Sequence, residues 1–261
     1  MNDAGQVSLE VASLRLRNPW LTFPALIALS LALAVWLNPE INRQLFASMN
    51  NLARGPSAPF WLFATLAGDT TVVLALLTAM HWRRPLAIRS VPLTLLIVTL
   101  LVHIPKPLVS APRPLAVLGA DAVAVLGPAL TTQSFPSGHA ATAFAGAALV
   151  TFAGASALSA TLALIAAILV AASRCVVGAH WPIDVAMGAA FGWLGAWVSV
   201  YWSERAGLIT SRWLHRVGLV VVALCWLGIV SQRIVLLKES GSKIKALSAS
   251  LAFHGIDASC S

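Results

Sequence analysis

Six ionisable side chains stand at the ends of long apolar segments and have the chemistry that phosphoryl transfer needs. They are Lys106, Arg113, His139, Arg174, His180 and Asp184. The three cations suit a dianionic phosphate, because a guanidinium can hold two phosphate oxygens at once and an ammonium adds a point charge. With two imidazoles present, one can attack phosphorus while the other, His139, protonates the leaving oxygen.

His180 and Asp184 are four residues apart, with Pro182 between them. Proline is tolerated in the first turn of a helix, so we expect a helix to begin near Trp181 or Pro182. Asp184 can then reach back to His180, fix its tautomer and stabilise its cationic form, as in other pairs where a carboxylate orients a histidine.

The run from Phe135 to His139 opens another predicted helix. Ser137 can serve as its N-cap, and Gly138 allows an anion to approach the backbone closely. The free N–H groups and the dipole of a helix start form an anion site. We therefore expect phosphate to bind at this helix end.

The acidic residues argue against a metal enzyme. A two-metal phosphatase needs several carboxylates, and only Asp184 and Asp121 fall on the same side as the six side chains. We predict a site with no metal and no cofactor. The formal charge of +8 comes from scattered basic residues with no basic stripe, which argues against nucleic-acid binding.

The composition predicts an all-α integral membrane protein. Hydrophobic residues make up 59% of the chain and charged residues 10%, whereas soluble domains carry roughly 25% charged residues. The apolar runs are continuous rather than alternating, which favours helices of about 20 residues that span the bilayer. We predict a bundle of six core transmembrane helices, near residues 20–37, 60–80, 86–103, 137–152, 158–172 and 182–201.

We divide the chain into a cytoplasmic N-terminal segment (1–19), a transmembrane domain (20–207) and two further parts. Residues 208–237 form a seventh transmembrane helix or a helix on the membrane surface, and 238–261 form a polar, disordered tail. Basic residues cluster before the first span, between the second and third, and after the sixth. The positive-inside rule makes that side cytoplasmic and places the six ionisable side chains on the opposite side.

The sequence resembles the type 2 phosphatidic acid phosphatase superfamily over about residues 60–201. Three signatures carry the resemblance: Lys106-PLVSAP-Arg113-Pro114, Pro136-Ser137-Gly138-His139 and Ser173-Arg174-CVVGA-His180-WPI-Asp184. The resemblance implies that His180 is the nucleophile that forms a phosphohistidine, that Asp184 is its partner and that His139 is the acid. It also implies that phosphate binds to Lys106, Arg113, Ser137, Gly138 and Arg174.

The expected function is therefore hydrolysis of a lipid phosphomonoester or diphosphate in the bilayer. The resemblance implies undecaprenyl diphosphate, which we favour, phosphatidylglycerol phosphate, phosphatidic acid or lipid A phosphate. The expected location is a bacterial inner membrane, with the site facing the periplasm or exterior. The alternatives are a phosphotransferase that passes the phosphate to a second lipid, a transporter and a vanadate-binding oxidant.

Several other polar residues receive structural interpretations. A carboxylate within a span is a functional candidate by default, but threonines or a neighbouring helix can satisfy Asp69, and we interpret it as structural. We interpret His103 as bordering the site and Cys175 as a packing residue. Trp181 either borders the pocket or belongs to the aromatic belt at the membrane interface.

Overall fold

The computed structural model describes residues 22–79 and 85–205, together with 213, 216–221, 223, 224 and 227. In residues 22–79 and 85–205 the regular structure is helical. The helices are α1 Phe23–Leu37, α2 Pro39–Asn51, α3 Ala58–Leu66, α4 Thr70–Ala79, α5 Pro85–His103, α6 Pro105–Val109, α7 Pro114–Leu118, α8 Gly138–Phe152, α9 Ala157–Val176 and α10 Pro182–Arg205.

The described helices agree with an integral membrane protein. Three stretches are long and apolar enough to cross a bilayer: Arg89–Leu118, Ala157–Val176 and Pro182–Arg205. The number rises to five if each of two bent helix pairs forms one span, and α8 is a shorter apolar helix. Six core spans remain a prediction, and residues 1–19, most of 208–237 and 238–261 lie outside the described residues.

The second predicted span is broken into two helices. Ala58–Leu66 and Thr70–Leu77 meet at an angle of 67°. Gly68 lies at the break, where a Cβ atom would clash with the Val170 side chain on α9. The hydropathy of residues 60–80 predicted one straight helix because a break of three residues barely lowers the average.

Helix α2 was not predicted from the sequence. It follows α1 at an angle of 111° and is more polar. Asn38 caps it by accepting a hydrogen bond from the Ile41 N–H at 3.2 Å. The helix is largely exposed, but it buries Phe46 and Asn50 against the loops at one end of the bundle. It is therefore a structural support for those loops.

Helices α8 and α10 form the centre of the bundle. A Cβ atom at Gly188 would clash with the Ser137 carbonyl, and one at Gly192 would clash with the Ala141 carbonyl. Small residues allow such close backbone contact between membrane helices, where packing rather than hydrophobicity holds helices together. The contact at Gly188 fixes the position of Ser137, the residue that begins α8.

Large apolar side chains point outward from the peripheral helices. Trp36 on α1, Phe63 on α3 and Leu158 on α9 are 66%, 73% and 69% exposed. Many other large apolar side chains on these helices are exposed as well. This surface therefore suits contact with lipid tails.

A long connection between α7 and α8 lies over the end of α9. Asn50 on α2 donates hydrogen bonds to the carbonyls of Ala124 (2.8 Å) and Val176 (2.9 Å). Its carbonyl oxygen accepts the Ala124 N–H at 2.9 Å. A small apolar cluster of Phe46, Val123, Cys175 and Trp181 fills the space beside it. Cys175 is thus buried among apolar side chains, in agreement with a packing role.

Candidate active site

Four of the predicted site residues meet at the same end of the bundle. Arg113 and Arg174 are each 8% exposed, His180 is 3% exposed and Asp184 is 1% exposed. They come from the start of α7, the end of α9, the following loop and the first turn of α10. Charged residues are almost never this buried without partners, so the contacts of each side chain decide what the group can do.

Asp184 lies beside His180, as the spacing predicted, and α10 begins at Pro182. The distance from His180 Nδ1 to Asp184 Oδ2 is 3.6 Å, which is close but too long for a hydrogen bond. Instead, Oδ2 accepts hydrogen bonds from the Ser134 hydroxyl and from the Trp181 N–H. These two donors hold the carboxylate in place behind the imidazole.

The other ring nitrogen of His180 faces a phosphate-binding candidate. Arg113 Nη1 lies 3.4 Å from His180 Nε2. A guanidinium has donors and no acceptor, so this contact requires a lone pair on Nε2 and assigns the proton to Nδ1, on the side of Asp184. The nitrogen with the lone pair therefore points at the guanidinium.

Burial also keeps the His180 imidazole neutral. Its pKa is lowered from 6.5 to about 4, first because burial removes water from the charged form and also because of the positive charges of Arg174 and Arg113. Asp184 opposes this shift without overcoming it. At neutral pH the ring is unprotonated and can act as a nucleophile.

Backbone carbonyls hold two of the predicted phosphate-binding cations. Arg113 donates from Nε to Thr132 (2.7 Å) and from Nη1 to Ala179 (2.8 Å). Lys106 Nζ donates to the Gln133 carbonyl at 3.0 Å. Ser134 also donates to Asp184. The segment 131–134 therefore positions both of these cations and the carboxylate of the site. Sequence reasoning missed it, although a polar Thr-Thr-Gln-Ser run before Phe135-Pro136 was a usable signal.

Arg174 is held from the broken helix. Its Nη1 donates to the hydroxyl of Thr65 on α3, and both side chains are buried. Its Nε has no hydrogen-bond partner among the described residues. A buried guanidinium with an unsatisfied N–H is a candidate for binding an anion. Thr65 was also missed, because nothing in the sequence connects α3 to α9.

The start of α8 offers backbone donors. Ser137 is its N-cap, and the Ser137 N–H donates to the Asp184 carbonyl at 2.9 Å. The Ser137 hydroxyl accepts from the Ala140 N–H. No described hydrogen bond outside the helix uses the N–H groups of Gly138 and His139. These two donors are available to an anion at the positive end of the helix.

His139 lies on a different side of the site from the Asp184 carboxylate. Its half-buried side chain lines a cavity of about 180 Å³ between α4, α5 and α8. His103 and Asp69 line the same cavity. The positive charges of Arg174 and Arg113 act on the His139 imidazole as they do on that of His180. Both histidines thus belong to one electrostatic environment.

The groups that could hold a metal ion are few in the described parts of the chain. No cluster of three or more histidine, cysteine, aspartate or glutamate side chains occurs there. The absence of a metal requirement remains a prediction from the sequence. Chelation during an activity measurement tests it directly.

Residues 87–208 match the PAP2 superfamily. A solved structure, that of LpxE from Aquifex aeolicus, is 31% identical and superposes with a TM-score of 0.56. The similarity covers 62% of this chain and 95% of that one. The chain belongs to the PAP2 superfamily. The resemblance inferred from the three signatures is therefore confirmed.

A curated relative is the undecaprenyl-diphosphatase of Sulfolobus acidocaldarius. The two chains are 41% identical over 83 residues, which is 29% of this chain. This chain covers only 34% of the length of that protein. The PAP2 match includes every predicted site residue, whereas Asn50, Thr65 and Asp69 precede its first residue.

Proposed function

We propose that the protein is a membrane lipid phosphatase that acts through a phosphohistidine on His180, with the site at the extracytoplasmic surface. One contact carries the proposal: the buried His180 Nε2 faces the Arg113 guanidinium, with the Asp184 carboxylate behind the ring. A neutral nucleophile beside a cation and backed by a carboxylate suits attack on a phosphate that the cation binds.

In the first step, the phosphate dianion binds between Arg113, Arg174 and Lys106, with the free N–H groups of the first turn of α8. His180 Nε2 attacks phosphorus, and the bond from phosphorus to the leaving oxygen breaks. His139 gives its proton to that oxygen, and Asp184 stabilises the charge that develops on His180.

In the second step, water replaces the leaving group. His139, now neutral, takes a proton from the water while the oxygen attacks phosphorus. The bond between nitrogen and phosphorus breaks, and His180 recovers its lone pair. Inorganic phosphate leaves, and both histidines return to their starting forms.

A lipid substrate fits the surroundings of the site. The helices around it expose large apolar side chains, and these suit a substrate that remains in the bilayer. The relationship to an undecaprenyl-diphosphatase favours undecaprenyl diphosphate. Phosphatidylglycerol phosphate, phosphatidic acid and lipid A phosphate are the other candidate substrates to be tested. We assign the protein to a bacterial inner membrane.

The decisive experiment measures phosphate release by the purified full-length protein from this lipid panel, with EDTA present. Wild type should turn over at least one lipid, and His180→Ala should lose nearly all turnover. A ³²P-labelled substrate should leave label on wild-type protein that is stable to base and labile to acid, as expected for phosphohistidine. Asp121→Asn is the control, because Asp121 is exposed and is not one of the predicted site residues.

Two outcomes would contradict the proposal. One is full activity of His180→Ala, and the other is loss of wild-type turnover in EDTA that added metal restores. Adding a second, unlabelled lipid separates hydrolysis from phosphotransfer, because a phosphotransferase would move label to that lipid instead of to inorganic phosphate.

A further inference from the structure

One oxygen of Asp184 faces His180 and two other donors. This oxygen, Oδ2, accepts hydrogen bonds from the Ser134 hydroxyl and from the Trp181 N–H at 2.9 Å. His180 Nδ1 lies 3.6 Å from the same oxygen and has no hydrogen-bond partner among the described residues. The carboxylate is therefore next to the nucleophile but is hydrogen-bonded to other groups.

Ser134 is held in a position from which its hydroxyl restrains the carboxylate. The residue is fully buried, and its N–H donates to the Ala111 carbonyl at 2.9 Å. A movement of Asp184 toward the His180 ring would therefore lengthen the bond from the Ser134 hydroxyl. The other donor, Trp181, uses its backbone N–H, so Ser134 is the donor that a substitution can remove.

The donors on a carboxylate determine how strongly it attracts a neighbouring imidazole. A carboxylate that accepts more hydrogen bonds is less basic, and a less basic acceptor binds a further N–H more weakly. When phosphorus is bonded to Nε2 of His180, the ring is positively charged and Nδ1–H is its remaining donor. Hydrogen bonds from charged donors are roughly twice as strong as those from neutral ones. The Ser134 hydroxyl thus reduces the stabilisation of the charged ring more than that of the neutral ring.

Breakdown of the phosphohistidine depends on this difference. In the second step the oxygen of water bonds to phosphorus, the bond between nitrogen and phosphorus breaks, and its electron pair returns to Nε2. The ring passes from charged to neutral, so a stronger bond from Asp184 to the charged ring would slow this step. The same bond would favour the first step, in which the ring gains its charge.

We infer that the Ser134 hydroxyl limits the lifetime of the phosphohistidine by restraining Asp184 from the His180 ring. This inference rests on the proposed function, in which His180 carries the phosphate. Ser134 acts through Asp184 and is therefore a positioning residue. It lies two residues before Pro136, outside the three signatures.

The test measures formation and loss of the phosphohistidine separately. Purified full-length protein is mixed with ³²P-labelled substrate, chased with unlabelled substrate and quenched in base, and the label on the protein is counted. Two substrates supply the label: short-chain phosphatidic acid, whose alkoxide must be protonated, and p-nitrophenyl phosphate, whose phenolate is stable. Both give the same phosphohistidine, so the rate of label loss should not depend on the substrate.

Ser134→Ala should gain label at least as fast as wild type and lose it about tenfold more slowly, since a hydrogen bond to a charged group is worth about tenfold or more in an equilibrium. Ser134→Cys keeps the size of the side chain with a weak donor and should slow the loss less. It replaces Ser134→Ala if that variant does not yield folded protein by size-exclusion chromatography. Ser48→Ala is the control, because Ser48 is exposed on α2 and donates to the Gln44 carbonyl at 2.8 Å.

¹⁵N NMR spectra of histidine-labelled protein give an independent measurement. The pKa of His180, lowered to about 4 in wild type, should be higher in Ser134→Ala, because the carboxylate is free to bind the charged ring. Arg113, Arg174 and Asp184 are the charged groups that act on this ring, and the substitution changes none of them. An unchanged pKa would contradict the inference.

Two labelling results would overturn the inference. Equal rates of label loss in wild type and Ser134→Ala would show that the hydroxyl does not affect the intermediate. Equal slowing of label gain and label loss would make Ser134 a structural support alone. Failure of the proposed function gives a different result, since wild type would then carry no base-stable label or His180→Ala would carry as much as wild type.

Discussion

The two histidines of the site differ in how much open space lies beside each ring. His180 is enclosed, with Arg113 on one side of its ring and Asp184 on the other. His139 begins a helix and faces a cavity of about 180 Å³. A nucleophile benefits from a fixed direction of attack and from the absence of water. A group that serves a leaving group and then a water molecule needs space for both.

The structures that position His180 and His139 also differ. Side chains and backbone donors hold Asp184 behind His180, and α10 packs directly on the Ser137 carbonyl. On the cavity side, the support is a helix that bends by 67° around Gly68. The comparison predicts that changes near His180 damage catalysis equally for every substrate. Changes near His139 should add a loss that depends on how much the leaving group needs a proton, beyond their effect on the water step that all substrates share.

The largest expected effect comes from Asp184→Asn. A neutral amide cannot stabilise the charge that develops on His180 as a carboxylate does, even though its oxygen can still accept from the Ser134 hydroxyl and the Trp181 N–H. We expect kcat to fall by about 10³-fold or more, as for other carboxylates that orient a histidine. Steady-state kinetics on phosphatidic acid and on p-nitrophenyl phosphate should show equal losses. A loss on one substrate alone would remove the proposed difference between the two sides.

The next prediction concerns the protonation of His180, which tests whether its ring is enclosed. The pKa of about 4, against 6.5 for an unperturbed ring, means that the buried imidazole binds a proton more than a hundredfold less tightly. In ¹⁵N NMR spectra of histidine-labelled protein, assigned with His180→Gln, this ring should stay unprotonated from pH 8 to about pH 5. Protonation near pH 6.5 would contradict the enclosed environment.

The lowered pKa of His180 also affects the stability of the protein. Between pH 6.5 and about 4, the unfolded chain binds a proton at this position that the folded chain does not. His180 should therefore lower the free energy of unfolding as the pH falls through this window, and it should have no effect above it. Thermal unfolding of His180→Gln should lose this part of the pH dependence.

A moderate effect is expected for Thr65→Val. Valine keeps the shape of threonine but removes the hydroxyl that accepts from Arg174 Nη1, and it leaves a second buried guanidinium N–H unsatisfied. We expect KM for the lipid to rise by about tenfold, since a buried hydrogen bond to a charged group is worth about 1.5–3 kcal/mol. Thr65→Ser should restore most of the binding. An unchanged KM in Thr65→Val would mean that phosphate binding does not depend on the contact between Thr65 and Arg174.

The smallest effect is expected for His103→Gln. His103 lines the same cavity as His139, but its side chain is exposed and Nδ1 contacts the Thr99 carbonyl at 3.1 Å. Its removal should change kcat by less than about twofold on either substrate, because neither the phosphate nor His139 depends on it. A loss restricted to phosphatidic acid would add His103 to the proton-donating side.

The sequence predicted the reacting groups more completely than it predicted the groups that position them. His180 and Asp184 are four residues apart, and a helix start between them makes their contact a local matter. Thr65 and Arg174 are 109 residues apart, and Asn50 and Val176 are 126 apart. Such pairs depend on how helices pack. No periodicity or motif in one sequence specifies that.

The helix break shows a second limit of sequence reasoning. Asp69 was noticed as a carboxylate within an apolar span, but its interpretation depended on what lay beside it. The bend at Gly68 and the close approach of α9, whose Val170 side chain leaves no room for a Cβ atom there, are properties of three helices together. Averaged hydropathy reports the mean environment of about 20 residues and cannot locate a turn of three.

Asn50 sets a threshold for movement of the chain above the substrate site. The segment around Ala124 cannot lift away from Asn50 unless its two hydrogen bonds to this amide break, and a third bond ties the same amide to Val176 at the end of α9. At about 1 kcal/mol for each of these two bonds, roughly one molecule in thirty would have this segment raised at any moment. A lipid whose entry required that movement would be admitted at a rate that Asn50 controls, however fast the chemistry that follows.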